Sequence, residues 1–186
     1  MPLPIEKRGY LTNYVLSCLL PQSRYLRVLS LSGYEIFELP NSISDLKHPK
    51  YLNLSNTSIR RLPESTSSLY NLQTLILKGC SHLTTLPKKF RNLVNLQHLD
   101  SLDVNSIKEM PVGIEELKSL QMPSNFVVGK DTRSKIGDLM NLEFLQGRLC
   151  ISNLENVLDV ENARKANLNG KKSLDALVMK WEVDDL

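Results

Sequence analysis

The chain is poor in cysteine. Cys18, Cys80 and Cys150 are odd in number and far apart, and no paired cysteine cap is visible. Such sparse cysteine points to a reducing compartment. Long apolar runs are missing as well. The start, MPLPIEKRGY, has no signal core, and Leu11 to Leu20 is interrupted by Thr12, Asn13 and Ser17 and is too short to span a bilayer. Charge of one sign is scarce: the net charge is +3. The basic residues fall in short groups (Lys47 and Lys50; Arg60 and Arg61; Lys88, Lys89 and Arg91; Lys171 and Lys172). A nucleic-acid surface would need a denser stripe interleaved with aromatics. Catalytic signatures are absent: there is no HExxH, GxSxG or CxxC, and His48, His82 and His98 are isolated. Gly170-Lys171-Lys172-Ser173 lacks the earlier glycine of a phosphate loop, since Lys165 occupies that place, and it follows a helix rather than a strand. The sequons at Asn53 and Asn56 carry no meaning without a secretory route. These absences lead us to expect no enzyme, cofactor, metal, nucleic-acid partner or membrane span.

One leucine phrase is present in tandem. Leu26-x-x-Leu29-x-Leu31 is followed by Ile36-x-x-Leu39-Pro40, Ile43 and Leu46. The phrase returns from Leu52-x-Leu54, from Leu72-x-x-Leu75-x-Leu77 and from Leu96-x-x-Leu99, each time with a second half carrying Pro63, Pro87 or Pro111. First leucines stand at 26, 72, 96 and 120, with Pro49 in the missing slot, so the step is 23 or 24 residues. That period with an LxxLxL core marks a leucine-rich repeat. Leucines two apart face one side of a short strand, and successive repeats stack them into one core. The second half has apolar residues three or four apart, with a proline that suits the start of a turn. The expected fold is an α/β repeat: a leucine-rich-repeat solenoid with a curved parallel β-sheet on the concave face and short helical or 3₁₀ turns on the convex face.

The pattern divides the chain into four stretches. Residues 1–24 comprise a loose end (1–10) and a short helix, with Leu11, Val15, Leu16, Leu19 and Leu20 at helical spacing until Pro21 stops it, capping the first repeat. Residues 25–122 hold the regular repeats. Residues 123–138 are an irregular repeat and loop: Pro123 removes a donor in mid-strand, Phe126-Val127-Val128 supply its apolar filling, and 129–137 is a polar insertion. Residues 139–186 are degenerate repeats. In them Asp159 to Leu168 reads as a helix capped at Asp159 and closed by Asn169-Gly170, and a last strand begins at Leu174. The array ends open at Leu186, as a fragment would. Thr66 stands where other copies have Ile43, Phe90 and Ile114. Cys80, with Tyr34 and Thr57 in matching slots, takes a structural place beneath the next turn. In the fourth copy Leu102 is preferred as the second strand leucine, with one extra residue after Leu99 as a bulge. Its distance to Ile107 then equals that from Leu31 to Ile36 and Leu54 to Ile59.

Solenoids bind through side chains on the strand face pointing away from the core. The outward positions are Val28, Ser30 and Ser32; Tyr51, Asn53 and Ser55; Thr74, Ile76 and Lys78; His98 and Asp100. Val28, Tyr51, Thr74 and His98 form one row and Ser30, Asn53, Ile76 and Asp100 the next. Exposed Val28, Tyr51 and Ile76 are the expected protein-binding anchors.

The joined phrases Leu26-Arg-Val-Leu-Ser-Leu-Ser-Gly-Tyr-Glu-Ile36, Tyr51-Leu-Asn-Leu-Ser55, Leu72-Gln-Thr-Leu-Ile-Leu77, Asn125-Phe-Val-Val-Gly129, Gly147-Arg-Leu-Cys-Ile-Ser-Asn-Leu-Glu-Asn-Val157 and Leu177-Val-Met-Lys-Trp181 resemble plant disease-resistance proteins. The resemblance is to the coiled-coil nucleotide-binding leucine-rich-repeat class, leucine-rich-repeat portion only, over roughly residues 11 to 185. It implies part of an intracellular, cytoplasmic immune receptor whose repeats recognise a pathogen effector or a guarded host protein. It also implies that the repeats restrain a nucleotide-binding domain, which this chain does not include. The alternatives are a free-standing cytosolic leucine-rich-repeat scaffold of the Leu-Pro type and a non-functional truncated gene copy.

Overall fold

The computed structural model describes residues 11–130 and 135–181, so the loose end at 1–10 and residues 131–134 of the polar insertion lie outside the described residues. Each repeat places a short strand on one side and a 3₁₀ turn on the other. Strands β1 (Val28–Ser30), β2 (Tyr51–Asn53), β3 (Thr74–Ile76), β4 (His98–Asp100) and β5 (Met122–Pro123) pair in parallel, in chain order, as one five-stranded sheet. A second parallel sheet holds β6 (Asn125–Val127), β7 (Gln146–Ser152) and β8 (Ser173–Met179). Register sets Leu29, Leu52, Leu75 and Leu99 side by side. Leu52, Leu75 and Leu99 are fully buried, each stabilising the stack by roughly 1.5–3 kcal/mol.

The Leu-Pro phase has a backbone cause. The carbonyls of Pro40, Pro63, Pro87 and Pro111 accept from the N–H of Ile43, Thr66, Phe90 and Ile114, at 3.1, 2.9, 3.1 and 3.2 Å. Pro40 and Pro63 thereby close the first turn of the 3₁₀ segments Asn41–Asp45 and Glu64–Ser68, and Pro87 and Pro111 close the turn that leads into Phe90–Asn92 and Ile114–Glu116. Ile43, Phe90 and Ile114 fill the convex core, and Thr66 is equally buried in the same row. Its Oγ1 has no hydrogen-bond partner among the described residues. Pro49 is buried in the leucine slot at small cost. The equivalent Leu72, Leu96 and Leu120 donate only to a carbonyl three residues back, at 2.8 to 2.9 Å, so proline forfeits a turn bond and no ladder bond.

Three expectations are corrected. The short helix is α1 (Asn13–Leu19), capped by the Thr12 hydroxyl, and Pro21 lies inside a following 3₁₀ turn, Leu20–Gln22. Only Leu16 and Leu20 of its apolar set are buried, while Val15 and Leu19 are exposed. The reason is geometric: positions 16 and 20 share one face, and 15 and 19 are rotated away from it by about 100°. The second helix, α2 (Val160–Lys165), does begin at the Asp159 cap, whose carboxylate accepts from Glu161 N at 2.9 Å. It ends sooner than expected, because Asn167 turns into the left-handed region (φ 48°) ahead of a separate 3₁₀ turn, Leu168–Gly170.

The third correction concerns the fourth copy. Ser101, not Leu102, takes the inward slot: Ser101 is buried and Leu102 half-exposed. The deciding feature is the left-handed residue after each strand. Gly33, Asn56, Gly79 and Asp103 all have positive φ (76, 56, 71 and 60°), residue types that tolerate that region. Gly33 N bonds Ser55 O, Asn56 N bonds Lys78 O, and Gly79 N bonds Leu102 O. Leu102 is therefore the counterpart of Ser32, Ser55 and Lys78, and no bulge is needed after Leu99.

Pro123 divides the two sheets. Inward residues donate to the following strand: Leu31 N to Asn53 O, Leu54 N to Ile76 O, Leu77 N to Asp100 O, at 2.7 to 2.8 Å. Alternation points the N–H two residues earlier the same way. Pro123 has none, and the five-stranded sheet ends there. Ser124 bridges the seam, with its N–H on Leu99 O and its carbonyl on Cys150 N. Beyond it Phe126, Val127 and Val128 are all buried.

Candidate protein-binding face

The strand registers align Val28, Tyr51, Thr74 and His98 in one row and Ser30, Asn53, Ile76 and Asp100 in a second. The turn bonds align Ser32, Ser55 and Lys78 with Leu102 in a third. All eleven residues singled out from the sequence thus belong to the outer side of the sheet, but they are not equally available. Val28 is 58 % exposed, and Ser30, Ser32 and Lys78 are exposed too. Tyr51, Asn53, Thr74, Ile76, His98 and Asp100 are half-buried between their neighbours. The expectation of freely exposed Tyr51 and Ile76 is corrected accordingly: each is flanked on both sides in its row. Ser55 is buried, with its hydroxyl 2.7 Å from that of Ser32.

Two of the polar residues serve the fold directly. Asn53 Oδ1 accepts from Ser55 N at 2.9 Å, and Asp100 Oδ1 accepts from Leu102 N at 3.0 Å. Each is a side chain closing a turn two residues on, which holds the chain as it leaves the strand. Beneath this edge Thr57 Oγ1 donates to Leu54 O at 2.7 Å, and the Cys80 thiol reaches the same carbonyl at 3.0 Å. Burial pushes the Cys80 thiol above its ordinary value, against the lowering effect of Thr57.

The surface is not flat. A depression of about 370 Å³ opens on it, lined by Thr74, Ile76, His98, Leu99, Asp100, Leu102, Ser124 and Arg148. Three of these escaped the sequence reading. Spacing alone puts Leu102 inward. Arg148 precedes the buried Leu149 of β7, so alternation along the strand carried the signal. Ser124 enters only because of the seam: its hydroxyl accepts from Ser101 N at 2.6 Å and donates to Asp100 Oδ1 at 3.0 Å. Among the described residues no cluster of His, Cys, Asp or Glu could hold a metal ion, and no helix is long and apolar enough to cross a membrane.

The sequence profile of the leucine-rich repeat region family matches residues 12–179. The chain belongs to this family. Its relatives within the family are plant disease-resistance proteins. It is 46 % identical over 173 residues to a protein of Arabidopsis thaliana named for disease resistance, across 93 % of this chain and 12 % of that protein. It is 41 % identical over 181 residues to a disease-resistance RPP13-like protein of the same plant, across 92 % of this chain and 17 % of the other. Disease resistance protein RGA2 of Solanum bulbocastanum is 41 % identical over 156 residues, across 84 % of this chain and 16 % of that protein. The chain therefore spans 12–17 % of the length of these relatives. Solved structures agree on the solenoid. A leucine-rich-repeat protein of Leptospira interrogans superposes with a TM-score of 0.69 at 23 % identity, over 94 % of this chain and 50 % of that one. The leucine-rich repeat domain of the type III effector XopL does so with a TM-score of 0.56 at 18 % identity, over 94 % and 77 %. The chain is a leucine-rich-repeat module of the kind that plant disease-resistance proteins carry.

Proposed function

We propose that this module serves an intracellular plant immune receptor of the coiled-coil nucleotide-binding class. Its concave face recognises a pathogen effector or a guarded host protein, and the same repeats restrain the receptor's nucleotide-binding domain until that recognition occurs. The observation that carries this reading is the 41–46 % identity to disease-resistance proteins across most of the chain. Fold alone would fit a free-standing scaffold as well. The shape of the face supports the reading. Val28, Tyr51, Ile76 and Leu102 are apolar or aromatic side chains set among polar ones, the composition of a binding surface whose few anchors supply most of the energy.

The test uses the intact receptor. Tyr51→Ala and Ile76→Asp are introduced singly, and two readouts are taken: partner-triggered cell death in leaf tissue, and co-precipitation of the nucleotide-binding domain supplied as a separate polypeptide. The expected result is loss of triggering, or constitutive cell death with loss of co-precipitation. Unchanged behaviour of both variants in both readouts would refute the assignment.

A further inference from the structure

We propose that the depression around Ile76 and Leu102 takes an acidic side chain and its apolar neighbour from a protein partner. The carboxylate pairs with Arg148, while the adjacent aliphatic or aromatic side chain lies over Ile76 and Leu102. This inference rests on the reading of the concave face as a partner surface and names the chemistry of what it holds.

Three observations carry it. First, the space of about 370 Å³ is at the small end of the range that encloses a ligand, roughly 300–1,000 Å³, and suits two adjacent side chains rather than a helix. Second, its apolar contact surface is Ile76 and Leu102, so a phosphate or sugar would leave those side chains unmatched. Third, two cations, Arg148 in the lining and Lys78 beside it, stand against one acid, Asp100. Arg148 is exposed and forms no ion pair among the described residues, and Lys78 is exposed in the same row as Leu102. The acid in the depression, Asp100, keeps its charge but turns Oδ1 to the fold, where it accepts from both Leu102 N and the Ser124 hydroxyl at 3.0 Å. A planar guanidinium beside an apolar floor favours a carboxylate in bidentate geometry. An ion pair formed there is shielded by the apolar side chain packed beside it.

The experiment is selection of a random peptide library, displayed on phage, against the immobilised full chain. Selected peptides are then synthesised and titrated against wild type, Arg148→Glu, Arg148→Lys and Ile76→Asp, each checked for native circular dichroism. The expected selection pairs Asp or Glu with a neighbouring Leu, Phe or Tyr. Binding falls by roughly tenfold or more in Arg148→Glu, falls less in Arg148→Lys, which keeps the charge and loses the bidentate fork, and returns in Arg148→Glu when the peptide's acid is exchanged for lysine. A purely structural role for Arg148 would not produce that exchange. Failure to enrich any peptide, enrichment without acids, or equal affinity for Arg148→Glu overturns the proposal. Peptides that need Ile76 but ignore Arg148 overturn it while leaving the binding-face reading standing. Peptides that ignore both overturn both.

Discussion

Thr66→Val should stabilise the chain. Thr66 is fully buried in a row otherwise filled by Ile43, Phe90 and Ile114, and its hydroxyl has no partner among the described residues. An unpaired buried polar group costs roughly 1–3 kcal/mol. Valine keeps the β-branched outline, leaves the bond from Thr66 N to Pro63 O (2.9 Å) untouched, and puts a methyl where the hydroxyl was. The expected gain is about 1–2 kcal/mol. For a chain of this length each kcal/mol moves the melting temperature by about 2–4 °C, so a rise of about 2–8 °C is expected. The assay is thermal unfolding by circular dichroism, with urea unfolding to check that the slope is unchanged. Ser68→Ala is the control: Ser68 is exposed and its hydroxyl donates to Ser65 O at 2.7 Å, so no gain should follow. An unchanged or lowered midpoint for Thr66→Val, at equal slope, would mean that the hydroxyl is satisfied in solution and that the argument is wrong.

Other expectations are equally direct. Gly79→Ala should cost more than Gly33→Ala by urea unfolding. Both glycines have positive φ, which costs a side chain about 1–2 kcal/mol, but only at Gly79 does the new Cβ run into Asn56 Oδ1, whereas nothing lies near that of Gly33. Burial raises the Cys80 thiol above its ordinary 9.0, so the folded state holds its proton more tightly than the unfolded state. That contribution is complete below pH 9 and is lost as pH rises toward the higher folded value. Unfolding midpoints should therefore fall less steeply across this alkaline range in Cys80→Ala than in wild type, whatever the absolute stability of the variant. Lys171 occupies the slot of Leu117 and Leu142 and is buried, its ammonium donating to Leu142 O at 2.9 Å, and desolvation lowers its proton affinity. Lys171→Met should raise the melting midpoint at neutral pH by the equivalent of about 1 kcal/mol, and a lower midpoint would show that the carbonyl contact outweighs the buried charge.

Much of the architecture was legible because inward leucines repeat at a constant phase. Rows such as Val28, Tyr51, Thr74 and His98 follow from counting. In the fourth copy the spacing of Leu31–Ile36 and Leu54–Ile59 points to the wrong register. The span from Leu77 to Leu83 is a residue longer and is the one that Ser101 to Ile107 repeats. Backbone handedness would have resolved the choice, since Asp103 is the kind of residue that replaces Gly33, Asn56 or Gly79 in a left-handed turn. Availability was harder to foresee. That Tyr51 and Ile76 are half-covered depends on the side chains of adjacent repeats, and that Ser55 is buried depends on Ser32, a partner 23 residues away. The depression itself needs Ser124 and Arg148, which stand 24 residues apart in successive repeats.

The change of sheets at Pro123 bears on how the array comes apart. In a linear stack each unit is held only by its neighbours, so the chain fails first wherever adjoining units share the fewest ladder bonds. By that count the weak join is β4–β5, where two residue pairs are in register against three between the earlier strands. Heat or pulling force should open the strip there and leave two shorter stubs, each still zipped internally. The depression lies across that line, with Ile76 and Leu102 on one bank and Arg148 on the other, so a ligand seated in it would also be a clasp.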